Sequence, residues 1–231
     1  MKKLLSAILS LILALSLAPA AYAEVFAPTD AADALQTALD LCKTCAFAAE
    51  YGGAHPLARW DEPIRIHLSG FPTQADRENL EAFVLQLCLR VPTMPNVTIV
   101  DDSSQANMFI WFGPLDEMGQ HVTNYTEGNW GYFTYWYRSH RIVKAEIAVA
   151  SDVTNQRERN HLIKEEIVGA LGLTNDHHVF SDSILYQSWT TTQELSEVDW
   201  LMLNMIYHPD VSPGWDWSMF QMVTDKRINN R

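Results

Sequence analysis

Residues 161–176 read His-Leu-Ile-Lys-Glu-Glu-Ile-Val-Gly-Ala-Leu-Gly-Leu-Thr-Asn-Asp, and this stretch decides how the fold is interpreted. Apolar residues recur at helical spacing before Gly172, which predicts a helix over residues 156–171. Two adjacent carboxylates, Glu165 and Glu166, lie within it. Glu166 projects towards an otherwise apolar or small side, where a buried carboxylate needs a hydrogen-bonded or charged partner. We therefore expect Glu166 to be either a structural anchor, tying the helix to the C-terminal segment, or a vestigial catalytic base.

The same stretch resembles the H-E-x-x-H-x-x-G-x-x-H motif of zincins, the zinc peptidases of this class. In that motif the histidines bind zinc and the glutamate acts as base on the metal-bound water. When Gly172 takes the glycine position, Glu166 falls at the base position and Asp176 follows the third ligand position. The three ligand positions lack histidine, and they are Glu165, Gly169 and Asn175.

The resemblance to zincins continues on both sides of this helix. Residues 183–186 look like the Met-turn below the metal site of matrix-metallopeptidase-like proteins, with Leu185 at the methionine position and Tyr186 after it. The segment 195–207 looks like their final helix, and the predicted strands from 64 to 149 follow the order of their upper subdomain. This likeness implies an α+β, zincin-like fold with a mixed sheet backed by helices and a mostly helical C-terminal subdomain.

A second resemblance is to a bacterial exported family of unknown function. The characteristic motifs of that family are W-x-x-P-I-x-V before the first strand and E-E-x-x-x-x-L-G-L-x-N-D on the helix. Here the first begins at Trp60 and ends with Ile66, and the second runs from Glu165 to Asp176. This likeness supplies no activity.

Hydrophobic periodicity gives the remaining elements. Alternating or continuous apolar runs predict strands, and apolar residues at a spacing of three to four predict helices. The predicted strands are 60–70, 97–100, 107–112, 130–137 and 142–150, and the further helices are 31–49, 76–90 and a segment centred on 194–207. Asp30 is the expected N-cap of the first helix. The order of elements favours one α+β or α/β domain.

Residues 1–23 predict export. A basic start, a short apolar stretch and the ending Ala21-Tyr22-Ala23 are typical of a secretory signal peptide. We expect residues 24–58 to form a helical extension and residues 59–231 the zincin-like domain, in the periplasm or outside the cell. No later run is apolar enough for a membrane helix, and the formal net charge of −12 argues against nucleic-acid binding.

The three cysteines fit a disulfide better than a redox or zinc motif. Cys42 and Cys45 form a C-x-x-C within a predicted helix, without the preceding strand of a thioredoxin-like site. Cys88 is the only other thiol, so a zinc ribbon lacks its second pair. In an oxidising compartment we expect one bridge, with Cys88 as a partner that would pin the first helix to the main domain.

Six aromatic residues crowd the predicted strand 130–137. Alternation places Trp130, Tyr132 and Trp136 on one face. In zincins the strand at this point borders the cleft and pairs with peptide substrates, so the resemblance implies a groove for an extended peptide. Stacking on a glycan is a second interpretation, and ordinary aromatic packing is a third.

The lost histidines determine the expected chemistry. Catalytic zinc needs three protein ligands, and Gly169 has no side chain to offer. We therefore expect no cofactor and a non-catalytic binding or structural role in the cell envelope or outside. The alternative is an atypical metal-dependent hydrolase with zinc on a rearranged set of His161, Glu165 and His178, with His177 as a further candidate ligand.

Overall fold

A computed structural model describes residues 28–48 and 53–228. The predicted signal peptide, residues 1–23, lies outside these residues. Within them, no helix combines the length and the apolar character that a membrane span needs.

The described residues form six strands and five α-helices. The strands are β1 (Arg59–Trp60), β2 (Ile64–Gly70), β3 (Val97–Ile99), β4 (Met108–Gly113), β5 (Gly131–Arg138) and β6 (Arg141–Ala150). The helices are α1 (Pro28–Phe47), α2 (Gln74–Arg90), α3 (Gln156–Ala170), α4 (Glu197–Ile206) and α5 (Trp217–Ile228). Short 3-10 turns cover Ser103–Gln105 and Leu115–Gln120.

The sheet is mixed and mostly parallel. Its main path runs β3-β2-β4-β6, with every neighbouring pair parallel, and β1 continues parallel to the beginning of β6. Strand β5 pairs with β6 alone and is antiparallel to it, so it forms an edge. This arrangement confirms the predicted α+β class with a mixed sheet backed by helices.

Helices cover the sheet and close the C-terminal half of the molecule. Helices α2 and α3 contact each other, and α3 also packs on β5 and β6. Helix α1 packs against α4 and α5. Buried side chains from all five helices and from the sheet belong to one continuous apolar core. The N-terminal extension is therefore part of the same packed body as the main domain.

Two local predictions need correction. Helix α1 begins at Pro28, so Asp30 lies in its first turn and is not the N-cap; proline is well suited to the first helical position. The predicted disulfide is wrong, because Cys42, Cys45 and Cys88 are all free thiols. They face different elements: Cys42 Sγ lies 4.0 Å from the Met202 carbonyl oxygen on α4, whereas Cys88 Sγ lies 3.8 Å from that of Val97 on β3.

Candidate functional site

A cleft of about 840 Å³ lies between the edge strand β5 and helix α3. The segment 185–190 forms its opposite wall, and Thr44 and Ala48 bring the end of α1 to its border. All the motif residues 165, 166, 169, 175 and 176 line this cleft. The sequence motif and this cleft therefore coincide.

Glu166 is the most unusual side chain of the cleft. It is only 8% exposed, and none of the described residues donates a hydrogen bond to its carboxyl group. Its Oε1 lies so close to the backbone of Gly131 on β5 that a Cβ atom at that position would collide with it. A glycine in the edge strand therefore makes room for the carboxyl group.

Three carboxyl groups, those of Glu165, Glu166 and Asp176, lie close together in this cleft. Burial raises the pKa of Glu165 to about 8, and the charge of Asp176 adds to the effect. Burial also raises the pKa of Glu166 well above its ordinary value, reinforced by Glu165 and Asp176. No lysine or arginine is among the described residues that line the cleft. The cleft therefore favours protonated carboxyl groups at neutral pH when it is empty.

Gly169, at the second zinc-ligand position, is covered by an aromatic ring. A Cβ atom at this glycine would collide with the ring of Phe133 from β5 and would lie 2.7 Å from its Cζ. Phe133 also stacks against Tyr135, with the ring centroids 6.3 Å apart. The space for a ligand side chain at this position is occupied by Phe133.

Asn175, at the third ligand position, ties α1 to the main domain. Its Nδ2 donates to the carbonyl oxygens of Ala48 at 2.5 Å and of Thr44 at 3.2 Å, and its backbone N–H donates to Cys45 at 3.1 Å. The last carbonyl groups of a helix have no partner within it, so these bonds satisfy the C-terminal end of α1. The amide group is engaged in this structural role.

The turn after α3 depends on Gly172. Its φ is +116°, and a Cβ atom there would lie 2.5 Å from the carbonyl oxygen of Ala58. Only glycine suits both the conformation and this close approach. Asp176, the residue after Asn175, is exposed at the cleft and influences both glutamates electrostatically.

The Met-turn-like segment is held by a buried network. Ser183, fully buried, donates to Asp199 Oδ1 at 2.6 Å and accepts from His177 Nε2 at 3.0 Å and from the N–H of Leu185 at 3.0 Å. Because the serine proton goes to Asp199 and the hydroxyl is inaccessible, these residues do not form a nucleophilic triad. The network places Leu185 and Tyr186 in the cleft wall and holds His177 away from it.

The candidate ligands of a rearranged metal site are brought together only in part. His161 Nδ1 donates to the Thr192 carbonyl oxygen at 2.9 Å, and its Nε2 lies 3.5 Å from Glu165 Oε2. His178 is exposed and is not in the cleft lining. Among the described residues, no group of three or more His, Cys, Asp or Glu side chains is placed to hold a metal ion.

The aromatic strand divides its side chains between several surroundings. Trp130 lines the cleft, and its ring meets Trp189 edge to face at 5.2 Å. Tyr132 also borders the cleft, but its ring packs against Tyr125. Trp136 lies outside the lining, with Lys144 Nζ 4.6 Å from its ring centroid. Of the three aromatic residues predicted to form one groove face, Trp130 and Tyr132 line the cleft and Trp136 does not.

Three lining residues escaped the sequence prediction. Phe133 and Gly131 belong to the predicted strand, but their contacts with α3 depend on how the strand crosses the helix. Trp189 lies in an irregular segment without periodicity and is 55% exposed. The only sequence signal for Trp189 was a tryptophan in a segment without periodicity after the site motif.

Along the cleft, some backbone groups of β5 have no partner among the residues that the structure describes. Ala150 N–H donates to the Trp130 carbonyl oxygen at 2.8 Å, so these two residues form a hydrogen-bonded pair. Hydrogen-bonded and non-hydrogen-bonded pairs alternate in antiparallel strands. Gly131, Phe133 and Tyr135 are thus of the second kind, and their N–H and C=O groups point away from β6.

Comparison with known proteins identifies a family and no activity. No curated protein matches the chain. The model of one family, described as proteins of unknown function (DUF2927), matches residues 43–225, which include every element from the end of α1 to α5 and the whole cleft. That match indicates neither a zincin nor a metallopeptidase family. The chain belongs to the DUF2927 family.

Proposed function

We propose that this chain is an exported, zincin-like binding protein that holds an extended peptide along β5 and lacks a zinc peptidase centre. The single observation that carries the proposal is the edge of β5, which pairs with no described residue beyond β6 and borders a cleft whose second ligand position is covered by Phe133. Export rests on the predicted signal peptide alone.

The sheet and the helix support the zincin-like part. An antiparallel edge strand borders the cleft, helix α3 carries the degenerate motif below it, and Gly172 allows the sharp exit that the motif requires. The wall 185–190 lies where the resemblance puts the Met-turn and the segment after it. Each of these features separately supports the alignment of residues 165–175 with the zincin motif.

The lost ligands support the non-catalytic part. The ring of Phe133 fills the space that a ligand side chain at position 169 would need, and the Asn175 amide donates a hydrogen bond to the end of α1. Without three protein ligands, zinc and its bound water are not held for attack on a peptide bond. Glu166 then has no metal-bound water to activate.

The edge of β5 favours a peptide over a glycan. Strand addition uses backbone N–H and C=O groups at regular spacing, which a peptide matches and a sugar does not. A second hollow of about 340 Å³ shares Phe133 and Ala48 with the cleft and continues along β5 as far as Tyr135. Together the two hollows follow β5 over the length that an added strand would need.

Hydrogen exchange tests strand addition directly. Octapeptides of alternating threonine and valine are added to the full mature chain, and amide exchange is followed by NMR. We expect protection of the Gly131, Phe133 and Tyr135 amides. A matched peptide with N-methylated backbone on its pairing edge should bind at least tenfold more weakly. Equal binding of both peptides, or protection elsewhere only, would contradict the proposal.

The zincin-like geometry has its own test, which is to restore the motif. The variant combines Glu165→His, Gly169→His and Asn175→His with Phe133→Ala to free space. We expect it to bind one zinc ion per chain in equilibrium dialysis, whereas the same variant without Gly169→His should bind far more weakly. A folded variant that takes up no zinc would show that the three positions do not converge.

The contact between His161 and Glu165 supports a second candidate function, that of an atypical metal-dependent hydrolase. These two side chains supply two of its three ligands, and His178 would have to turn into the cleft. This candidate predicts stoichiometric zinc in the purified wild-type chain and its loss in both His161→Ala and His178→Ala. Zinc that survives dialysis would argue for it and against the binding protein.

A further inference from the structure

We infer that the cleft recognises a positively charged group of its peptide, an ammonium or guanidinium group seated between Glu165 and Glu166. This inference rests on the proposed function, since the peptide along β5 delivers the charge. It adds a chemical class of ligand that the fold and the family match do not supply.

The first argument is the state of Glu166. Its side chain is more than nine-tenths buried, lines the cleft and receives no hydrogen bond from the described residues. A buried carboxyl group without a partner is costly, so such groups are normally bonded within the fold. An ammonium or guanidinium group would supply the missing donors in a charge-assisted bond.

The second argument is the charge balance of the cleft. Glu165 lies beside Glu166 and Asp176 adds its field, while the described lining contains no lysine or arginine. The nearest basic side chain along the helix, Lys164, is turned to the other side, where it donates to the Gln193 carbonyl oxygen and contacts Glu194. None of the described lining residues is a lysine or arginine, so a positively charged ligand can supply the counter-charge.

The third argument is access from β5. Gly131 brings its unpaired backbone next to the Glu166 carboxyl group without an intervening side chain. Side chains of an added strand alternate between its two faces, so every second residue near Gly131 would point towards α3. A peptide paired here can thus place a basic side chain, or its own amino terminus, against the glutamates.

The aromatic wall favours the same ligand. Trp130 and Trp189 meet edge to face at one end of the cleft, and His161 packs against Trp189 with ring centroids 6.1 Å apart. The faces of tryptophan rings attract cations, most strongly where water is excluded. A cation near Glu165 would gain from both kinds of contact.

Calorimetric titration of the full mature chain tests the inference with four octapeptides of alternating threonine and valine. The first is acetylated, amidated and carries one central lysine; in the second, norleucine replaces it, and in the third, arginine. The fourth has central glutamine and a free amino terminus. Glu166→Gln is the test variant, and Glu62→Gln, an exposed glutamate outside the cleft, is the matched control.

We expect wild type and Glu62→Gln to bind the lysine or arginine peptide at least tenfold more tightly than the norleucine peptide. A preference for the fourth peptide instead would identify the amino terminus as the source of the charge. Glu166→Gln should remove the preference and leave norleucine binding unchanged. Equal binding of all four by wild type overturns the cation site and leaves strand addition standing, whereas no binding by any of them overturns both.

Discussion

Two buried carboxyl groups of this protein have opposite surroundings. Asp76 on α2 is fully buried and accepts hydrogen bonds from Thr73 N–H and Oγ1 at 2.8 and 2.7 Å, from Gln156 at 2.7 Å and from Arg159 at 3.1 Å. Burial alone would raise the pKa of Asp76, but these bonds hold it below its ordinary value. Glu166 on α3 is almost as buried, and its pKa is raised.

The difference separates anchors from ligand-facing groups. Asp76 caps α2 and joins it to α3 through Arg159, and Asp199 likewise caps α4 and holds Ser183. Glu166 makes no hydrogen bond to another described residue and faces an open cleft instead. Glu166 therefore lacks, among the described residues, the hydrogen bonds that characterise the anchors Asp76 and Asp199.

The largest expected effect concerns Asp76, the buried carboxyl group that anchors α2 to α3. Asp76→Ala leaves Arg159 without its partner in a buried position, which typically costs about 3–5 kcal/mol. Urea denaturation at pH 7 should show this loss in the free energy of unfolding. Glu81→Ala, at an exposed position of the same helix, should change it by less than about 0.5 kcal/mol. A loss at Asp76 no larger than that of the control would remove the distinction.

The next effect tests how tightly β5 closes on α3. Gly169→Ala should lower the free energy of unfolding by about 1–3 kcal/mol, because the added methyl group collides with Phe133. In a Phe133→Ala background the same substitution should raise it by about 0.5–1 kcal/mol, because alanine is the better helix former. A double-mutant cycle measures this reversal. The same sign in both backgrounds would mean that Phe133 does not cover Gly169.

The cleft side should respond to pH in the opposite sense from the anchor. Because the pKa of Glu166 is raised in the folded state, the stability that it contributes is complete below the ordinary value of 4.5 and is lost as pH rises well above that value. Glu166→Gln should therefore raise the free energy of unfolding at pH 8 by about 1–2 kcal/mol and change it little at pH 5. Equal effects of Glu166→Gln at the two pH values would contradict this assignment.

The smallest effect concerns the end of α1. Asn175→Ala removes the bonds to the Thr44 and Ala48 carbonyl oxygens and should cost about 1 kcal/mol. Because those bonds satisfy the end of one helix, limited proteolysis should cut α1 faster while α3 stays protected. Uniform faster cleavage throughout the chain would indicate a global loss of stability instead.

Local patterns predicted the elements but not their contacts. The α3 helix and the strands β2 to β6 follow from periodicity, and Gly172 follows from the helix end that it forms. The ring of Phe133 over Gly169 was not predictable, because it depends on how β5 crosses α3. The predicted cysteine bridge is wrong for a similar reason: spacing along the chain does not say that Cys42 faces α4 and Cys88 faces β3.

The surroundings of the carboxyl groups were likewise not predictable from the sequence. Asp76 and Asp199 occupy capping boxes that follow a serine or threonine by three residues, a pattern visible in the chain. Nothing local distinguishes the partnerless Glu166 from a solvated glutamate on a helix. Its state depends on Gly131, Glu165 and Asp176, which only the folded chain brings together.

The most direct measurement is a carbon-13 NMR titration of the glutamate carboxyl groups in the folded wild-type chain, assigned with Glu165→Gln and Glu166→Gln. We expect two glutamate carboxyl groups to titrate well above the ordinary value of 4.5, and both signals to be missing or shifted in these variants. Titration of every glutamate carboxyl group below about pH 5 would contradict a partnerless Glu166 and return it to the class of anchors such as Asp76.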